Sequence, residues 1–161
     1  KIAEMRKRLE SAIPILSPQV RVNIAMAVND AIDSSGIAAF PGRLTPVGGK
    51  ARPLSSPKFG ASSHLSELLL DLRKSGSNSL VIINLRWDLI ISELLNNLDI
   101  NSIKLIRDGD NLLINNEVLD AEALIDEGGY GFEPSLYIIG HNQDRVCEIV
   151  ENLAKSMEVM S

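Results

Sequence analysis

The sequence has one cysteine, two histidines, few aromatic residues and no long apolar run. Cys147 can form no internal disulfide, which is typical of a protein from a reducing compartment, and we expect a cytoplasmic protein. No apolar run is longer than five residues, which is far shorter than a membrane-spanning helix of roughly 20 residues. A net charge of -5 argues against nucleic-acid binding, which favours a basic face. We therefore expect neither a membrane nor a nucleic-acid partner.

Familiar catalytic motifs are absent as well. There is no GxxxxGK[ST], no GxGxxG after a strand, no HExxH and no GxSxG, which argues against a kinase-like phosphotransferase. The chain has 161 residues, of which 45% are hydrophobic and 23% charged. This length supports one well-buried core, so we predict a single domain over residues 1–161.

Helical and strand patterns alternate along the chain. We predict helices at residues 2–13, 65–72, 87–98 and 142–157, strands at 20–28, 80–85, 102–106, 123–126 and 135–139, and a hairpin or excursion at 108–120. The alternation indicates an α/β fold, a single three-layer domain with a mostly parallel sheet. Ligands of such sheets bind beyond the carboxyl ends of the strands.

The segment from Gly36 to Leu72 is irregular and contains five of the 11 glycines and four of the seven prolines. Its scattered apolar residues argue against disorder. We predict a long, ordered glycine- and proline-rich active-site loop that ends at a helix N-terminus, an arrangement that favours phosphate binding. Its cations are Arg43, Lys50, Arg52 and Lys58.

Two residues of this segment are candidates for anion binding. His64 would lie in the first helical turn, where the helix dipole favours an anion, although a partly exposed histidine without function fits equally well. Arg43 follows Gly42, which lets the backbone approach a ligand, and its guanidinium suits phosphate oxygens. The alternative for Arg43 is an ordinary surface charge.

Further candidates follow the predicted strands. Arg86 comes directly after the most apolar strand, and its alternative is a salt bridge to Asp88 or Asp126. Asp126 and Glu133 flank a glycine turn and could bind Mg²⁺, or could instead accept backbone N–H groups in that turn. These residues together predict an α/β domain that binds phosphorylated small molecules.

Four ordered motifs add a resemblance. The runs AAFPGRLTPVGG, SPKFGASSH, NLRWD and DEGGYGFEP resemble the ThiN-type thiamine-phosphate synthase family of archaea and some bacteria. The resemblance extends from Asn23 to the terminal helix, whereas residues 108–120 match poorly.

The resemblance implies a reaction. Hydroxymethylpyrimidine diphosphate and thiazole phosphate would be joined to give thiamine monophosphate and pyrophosphate, with Mg²⁺. Members of the family occur alone, behind a hydroxymethylpyrimidine phosphate kinase, or behind a helix-turn-helix as repressors that lack the family's arginine and histidine. This chain keeps both, at Arg43 and His64, which favours the catalytic type over a thiamine-phosphate-sensing domain. A kinase or DNA-binding domain could precede Lys1, and a homodimer could complete the open pocket.

The resemblance also assigns roles. Arg43 and Arg86 would neutralise the diphosphate, His64 would donate to the leaving group or orient it, and Asp126 and Glu133 would hold Mg²⁺ or the pyrimidine amino group. We expect Arg43, His64 and Arg86 to face one shared anion-binding cleft. The remaining candidates for phosphate or substrate binding are Asn23, Gly42, Gly60, Ala61, Ser62, Ser63, Asn84, Gly128 and Gly129.

Overall fold

A computed structural model describes residues 1–160. The helices are α1 (Ile2–Arg8), α2 (Ser63–Lys74), α3 (Leu89–Asn97) and α4 (Gln143–Met160). The strands are β1 (Ile24–Ala27), β2 (Ile37–Ala39), β3 (Leu44–Val47), β4 (Lys50–Pro53), β5 (Lys58–Phe59), β6 (Val81–Arg86), β7 (Ser102–Lys104), β8 (Ile106–Asp108), β9 (Asn111–Leu113), β10 (Ala123–Asp126) and β11 (Ser135–Gly140). Short 3₁₀ turns lie at Ile13–Leu16, Ser34–Gly36 and Asn116–Asp120.

Seven strands form the main sheet in the order β5-β2-β1-β6-β11-β10-β7. The α/β class is confirmed, but the prediction of a mostly parallel sheet is wrong, because only β7 and β10 pair in parallel among the described strands. A strand buried on both faces reads as a continuous apolar run in either orientation. The short glycine turn between β10 and β11 is also too short for a parallel crossover.

Helices cover both faces of the sheet, so the three-layer prediction is confirmed. The helices α1, α3 and α4 pack on one face, against residues that include Ile83 and Leu85 of β6. The helix α2 packs on the other face, against residues that include Ile82. The alternation along β6 places Asn84 on the α2 face, since successive strand side chains point to opposite faces.

Several boundaries differ from those predicted. The first helix ends at Arg8 and is followed by a 3₁₀ turn that contains Pro14. The strand predicted at residues 20–28 is shortened to β1. Residues 36–72 are not one irregular loop, because they contain β2, the β3–β4 hairpin, β5 and the start of α2. The hairpin predicted within residues 108–120 is confirmed in outline by β8 and β9.

The single cysteine and the single tryptophan contribute to the core, and the second histidine does not. Cys147 is buried on α4, and burial raises the pKa of its thiol to about 11. Trp87 is half-buried against the core. His141 is exposed, and its Nδ1 lies 3.0 Å from the Asn78 carbonyl oxygen. No helix within residues 1–160 has both the length and the apolarity needed to cross a membrane.

Candidate functional site

The α2 face of the sheet becomes polar at one end. Asn84 pairs with Tyr137 across β6 and β11, and Tyr137 pairs with Leu124 across β11 and β10. Asp126 follows two residues after Leu124 and therefore lies on the same face. Tyr137, Asn84 and Asp126 are all buried, which is unusual for polar groups without partners. Their partners define the candidate site.

His64 reaches this polar end from the first turn of α2. Its Nε2 lies 2.7 Å from the hydroxyl of Tyr137, and the two ring centroids are 5.9 Å apart. His64 is exposed overall, but partial desolvation of its ring beside Tyr137, followed by the positive charges of Arg43 and Arg107, lowers its pKa. Burial and the Asp126 charge raise the pKa of Tyr137 to about 12. At neutral pH, both rings are therefore uncharged.

Arg43 is held in a tight turn after β2. The Arg43 N–H donates to the Phe40 carbonyl across Pro41 and Gly42, and Gly42 has a φ of +71°, as the third position of a type II turn requires. Arg43 also has a positive φ, +66°, which is uncommon for a residue with a side chain. Its guanidinium donates to the Val20 carbonyl at 2.8 Å. Its positive charge contributes a downward shift to the pKa of His64, and one that opposes the raised pKa of Tyr137. Arg43 therefore acts electrostatically on both rings.

Two asparagines position this turn. The Asn23 side chain donates to the Phe40 carbonyl at 2.9 Å and accepts from the Phe40 N–H at 3.1 Å. The Asn84 side chain accepts from the Asn23 N–H and donates to the Arg21 carbonyl. Both asparagines are almost fully buried. In this structure, their contacts support the backbone beneath Arg43.

Arg107, on β8, is a site residue that sequence reasoning missed. Its guanidinium donates to both carboxylate oxygens of Asp126, at 3.2 and 2.5 Å, and lies 4.1 Å from the centre of the Phe132 ring. Arg107 is thereby placed close enough to His64 to lower its pKa. Its only sequence signal was a cation directly before a turn, in a region that matches the family motifs poorly. Tyr137 was missed because it sits inside an apolar strand pattern.

Arg86 is not joined to this group in the structure. Its guanidinium donates to Asp88 at 3.1 Å, to the Ile15 carbonyl at 3.0 Å and toward the Met157 sulfur at 3.8 Å. The salt bridge to Asp88, which was one of the alternatives, therefore forms. The contacts of Arg86 therefore do not place it in the cleft expected for Arg43, His64 and Arg86, and it is the charges of Arg43 and Arg107 that act on His64.

The two candidate metal ligands are engaged with other groups. Asp126 is paired with Arg107 and also accepts the Gly128 N–H at 2.9 Å. Glu133 accepts the backbone N–H groups of Gln19 and Val20 at 2.8 and 3.2 Å. Within residues 1–160, no group of three histidine, cysteine or carboxylate side chains is arranged to hold a metal ion. The residues present do not fit a resident metal. Asp126, which accepts the Gly128 N–H, matches the alternative of a carboxylate within the glycine turn, whereas Glu133 accepts N–H groups from a different segment.

The glycines and serines predicted to bind phosphate lie next to these residues along the chain, since residues 60–63 precede His64 and Gly128 donates to Asp126. Gly60 has a φ of +75° and leads into Ser62, the residue before α2, which makes no side-chain cap. The first-turn N–H groups of a helix have no intrahelical partner and are available to an anion. Gly128 has a φ of +78°, and a Cβ there would lie 2.6 Å from the Phe132 carbonyl oxygen. Gly129 exchanges hydrogen bonds with Phe132 and closes the turn.

The cleft at His64 is small. It has a volume of about 70 Å³ and is lined by seven residues, three of them acidic: His64, Glu67, Leu68, Asp71, Asp110, Asn111 and Leu112. Larger clefts, of about 730 and 600 Å³, lie elsewhere, one lined by the amino end of β6 and one by α3 and β10. The small cleft, and not the larger ones, is lined by a residue of the candidate site.

A family model described as "Thiamine-phosphate synthase ThiN" matches residues 2–152. The chain belongs to the ThiN family. A curated relative, "Thiamine-phosphate synthase ThiN" of Methanothermobacter thermautotrophicus, is 24% identical over 151 residues, which cover 84% of this chain and 80% of the relative.

Two solved structures share the fold. One is the C-terminal domain of a phosphomethylpyrimidine kinase, with a TM-score of 0.80 and 19% identity over 94% of this chain and 95% of that one. The other is the C-terminal domain of protein MJ0236, with a TM-score of 0.83 and 22% identity over 99% of this chain and 94% of that one. At these identities the two structures support the ThiN fold and not a particular reaction.

Proposed function

We propose that this ThiN-family chain is a transferase that joins hydroxymethylpyrimidine diphosphate to thiazole phosphate, giving thiamine monophosphate and pyrophosphate. The observation that supports the proposal is the position of His64, in the first turn of α2 and in contact with Tyr137 at the polar end of the sheet, where the charge of Arg43 also acts on the imidazole. Cations, an imidazole and free helix N–H groups together suit a diphosphate leaving group.

The reaction requires the protein mainly to stabilise the charge of the leaving group and to position the two substrates. The bond between the pyrimidine methylene carbon and the diphosphate oxygen breaks, and the thiazole nitrogen supplies the electron pair of the new C–N bond. No serine or cysteine nucleophile is therefore needed. Negative charge grows on the departing pyrophosphate, and preorganised donors around it lower the barrier. Arg43 and the amides of residues 60–63 would supply those donors.

His64 would respond to the bound diphosphate. Arg43 and Arg107 lower the pKa of the resting imidazole. A nearby diphosphate would place negative charge in the same region and raise that pKa, since an opposite charge favours the charged form. The imidazole could then donate a hydrogen bond to the leaving oxygen. Arg107 would hold the β8–β9 hairpin through its bonds to Asp126.

Mg²⁺ would enter with the substrate in this proposal. Hard cations that accompany phosphates take most of their ligands from phosphate oxygens and water, so a closed protein site is not needed. The cation would neutralise part of the diphosphate charge. Since Asp126 and Glu133 are engaged with other groups, we assign neither of them to the ion.

The experiment tests turnover and Arg43 together. The chain is incubated with both substrates and Mg²⁺, and thiamine monophosphate is measured by mass spectrometry. We expect Arg43→Ala to lower turnover by at least ~10²-fold, by analogy with the loss of one oxyanion donor. Arg52→Ala, an exposed cation of β4, is the matched control and should leave turnover near that of the unmodified chain. Near-full activity of Arg43→Ala would remove Arg43 from the mechanism.

The same assay separates synthesis from sensing. Binding of thiamine phosphates without any product would indicate a ligand-sensing domain and overturn the transferase proposal. The similarity to the C-terminal domain of a phosphomethylpyrimidine kinase supports a further proposal, that a kinase domain accompanies this one in a longer protein.

A further inference from the structure

The contact between His64 and Tyr137 allows an inference about which imidazole nitrogen faces a ligand. The Nε2 of His64 lies 2.7 Å from the Tyr137 hydroxyl oxygen. One of these two groups must donate the hydrogen, and the choice fixes where the neutral ring carries its own hydrogen.

The chemistry of the pair favours the phenol as donor. A neutral imidazole nitrogen is a far better hydrogen-bond acceptor than a phenol oxygen, as their ordinary basicities show. The Ser135 hydroxyl, two residues away on β11, donates toward the Glu133 carbonyl at 3.5 Å, so the hydrogen bond that the described residues give the Tyr137 hydroxyl is the one to His64.

The surroundings keep both partners in the required protonation states. Burial raises the pKa of Tyr137 to about 12, so its hydrogen is retained across the physiological range. Partial desolvation and two arginine charges lower the pKa of His64, so the resting ring carries a single hydrogen. Within residues 1–160, Nδ1 of His64 makes no hydrogen bond, so it is the ring nitrogen left for a ligand.

We propose that Tyr137 donates its hydroxyl hydrogen to Nε2 of His64 and thereby places the imidazole hydrogen on Nδ1, which becomes the donor offered to a bound anion. Tyr137 is then a positioning residue that acts through His64. The tautomer is independent of the proposed function, whereas the role of Nδ1–H toward a diphosphate rests on it.

The first test is spectroscopic. In ¹⁵N-labelled protein near pH 8, two-bond ¹H–¹⁵N correlations should show a protonated Nδ1 and an unprotonated Nε2 for His64. Tyr137→Phe, which keeps the buried ring, should change this pattern toward a mixture of tautomers, and circular dichroism checks that it folds. A protonated Nε2 in the unmodified protein, or an unchanged pattern in Tyr137→Phe, would overturn the proposal.

The second test uses binding of inorganic pyrophosphate, measured by calorimetry. An asparagine amide nitrogen can occupy the position of Nδ1, and a glutamine amide nitrogen that of Nε2. We expect His64→Asn to bind within a few-fold of the unmodified chain, and His64→Gln to lose roughly tenfold or more, the usual effect of one hydrogen bond to a charged group. Equal losses, or the reverse order, would overturn the role of Nδ1.

The two tests also separate this inference from the function. A protonated Nδ1 in a chain that binds no pyrophosphate would support the tautomer and refute the phosphate site. Pyrophosphate binding with a protonated Nε2 would support the phosphate site and refute the proposed tautomer.

Discussion

Arg107→Ala should destabilise the protein strongly, because it leaves a buried carboxylate without its counterion. The side chain of Asp126 is 3% exposed, and Arg107 supplies two of its hydrogen bonds. Breaking a buried pair by removing one partner costs ~3–5 kcal/mol. For a chain of this size, 1 kcal/mol corresponds to about 2–4 °C, so the melting temperature should fall by roughly 6–20 °C.

Urea unfolding followed by circular dichroism measures this loss directly. The pair Lys104 and Glu127 lies nearby in sequence at 2.9 Å, with side chains 68% and 61% exposed, and provides the control. Lys104→Ala should cost at most ~1 kcal/mol, since exposed ion pairs contribute little. Replacing Arg107 and Asp126 together by methionine and leucine should recover most of the loss. A loss under ~1 kcal/mol for Arg107→Ala would refute the reasoning.

Three further outcomes follow from single residues. In urea unfolding, Gly128→Ala should destabilise the fold by more than Gly131→Ala. Both positions have φ near +80°, where left-handed strain alone costs ~1–2 kcal/mol, but only at Gly128 would a Cβ meet the Phe132 carbonyl. Equal losses of stability in the two variants would refute this reasoning. The lowered pKa of His64 means that the unfolded chain binds a proton at higher pH, so its contribution to stability is complete above about pH 6.5 and is lost as the pH falls below that value. His64→Gln should flatten the dependence of the unfolding free energy on pH below about pH 6.5. An unchanged dependence in this variant would contradict the lowered pKa. Cys147 should react with a thiol reagent at pH 8 only after unfolding, since burial raises its pKa to about 11; fast native reaction would contradict the structure.

The sequence predicted the helices and most strands because their apolar residues recur at regular spacing. The stripe of α2 and the apolar run of β6 are examples. Strand direction could not be predicted from the same signal, since burial on both faces erases the alternation that marks an antiparallel strand. The length of the turn between Asp126 and Ser135 was the available evidence, because it suits a hairpin.

The candidate site was predicted in part. Arg43 and His64 carried local signals, a Pro-Gly turn and a helix start, and in the structure the charge of Arg43 acts on His64. Arg107 carried only a weak local signal, a cation before a turn, and Tyr137 carried none, since their positions depend on pairings between distant segments. Arg86 shows the opposite limit: a cation that leaves a buried strand must find partners, and here its guanidinium donates to the Asp88 carboxylate and the Ile15 carbonyl.

Arg43 occupies a backbone conformation that glycine or asparagine would adopt with less strain. Selection for thermal stability alone would therefore favour replacement of this arginine. The replacement would raise the melting temperature and remove the positive charge of the turn. Thermal stability and anion affinity thus favour different residues at this position. Thermostable variants of this chain should be tested for anion binding before they are used.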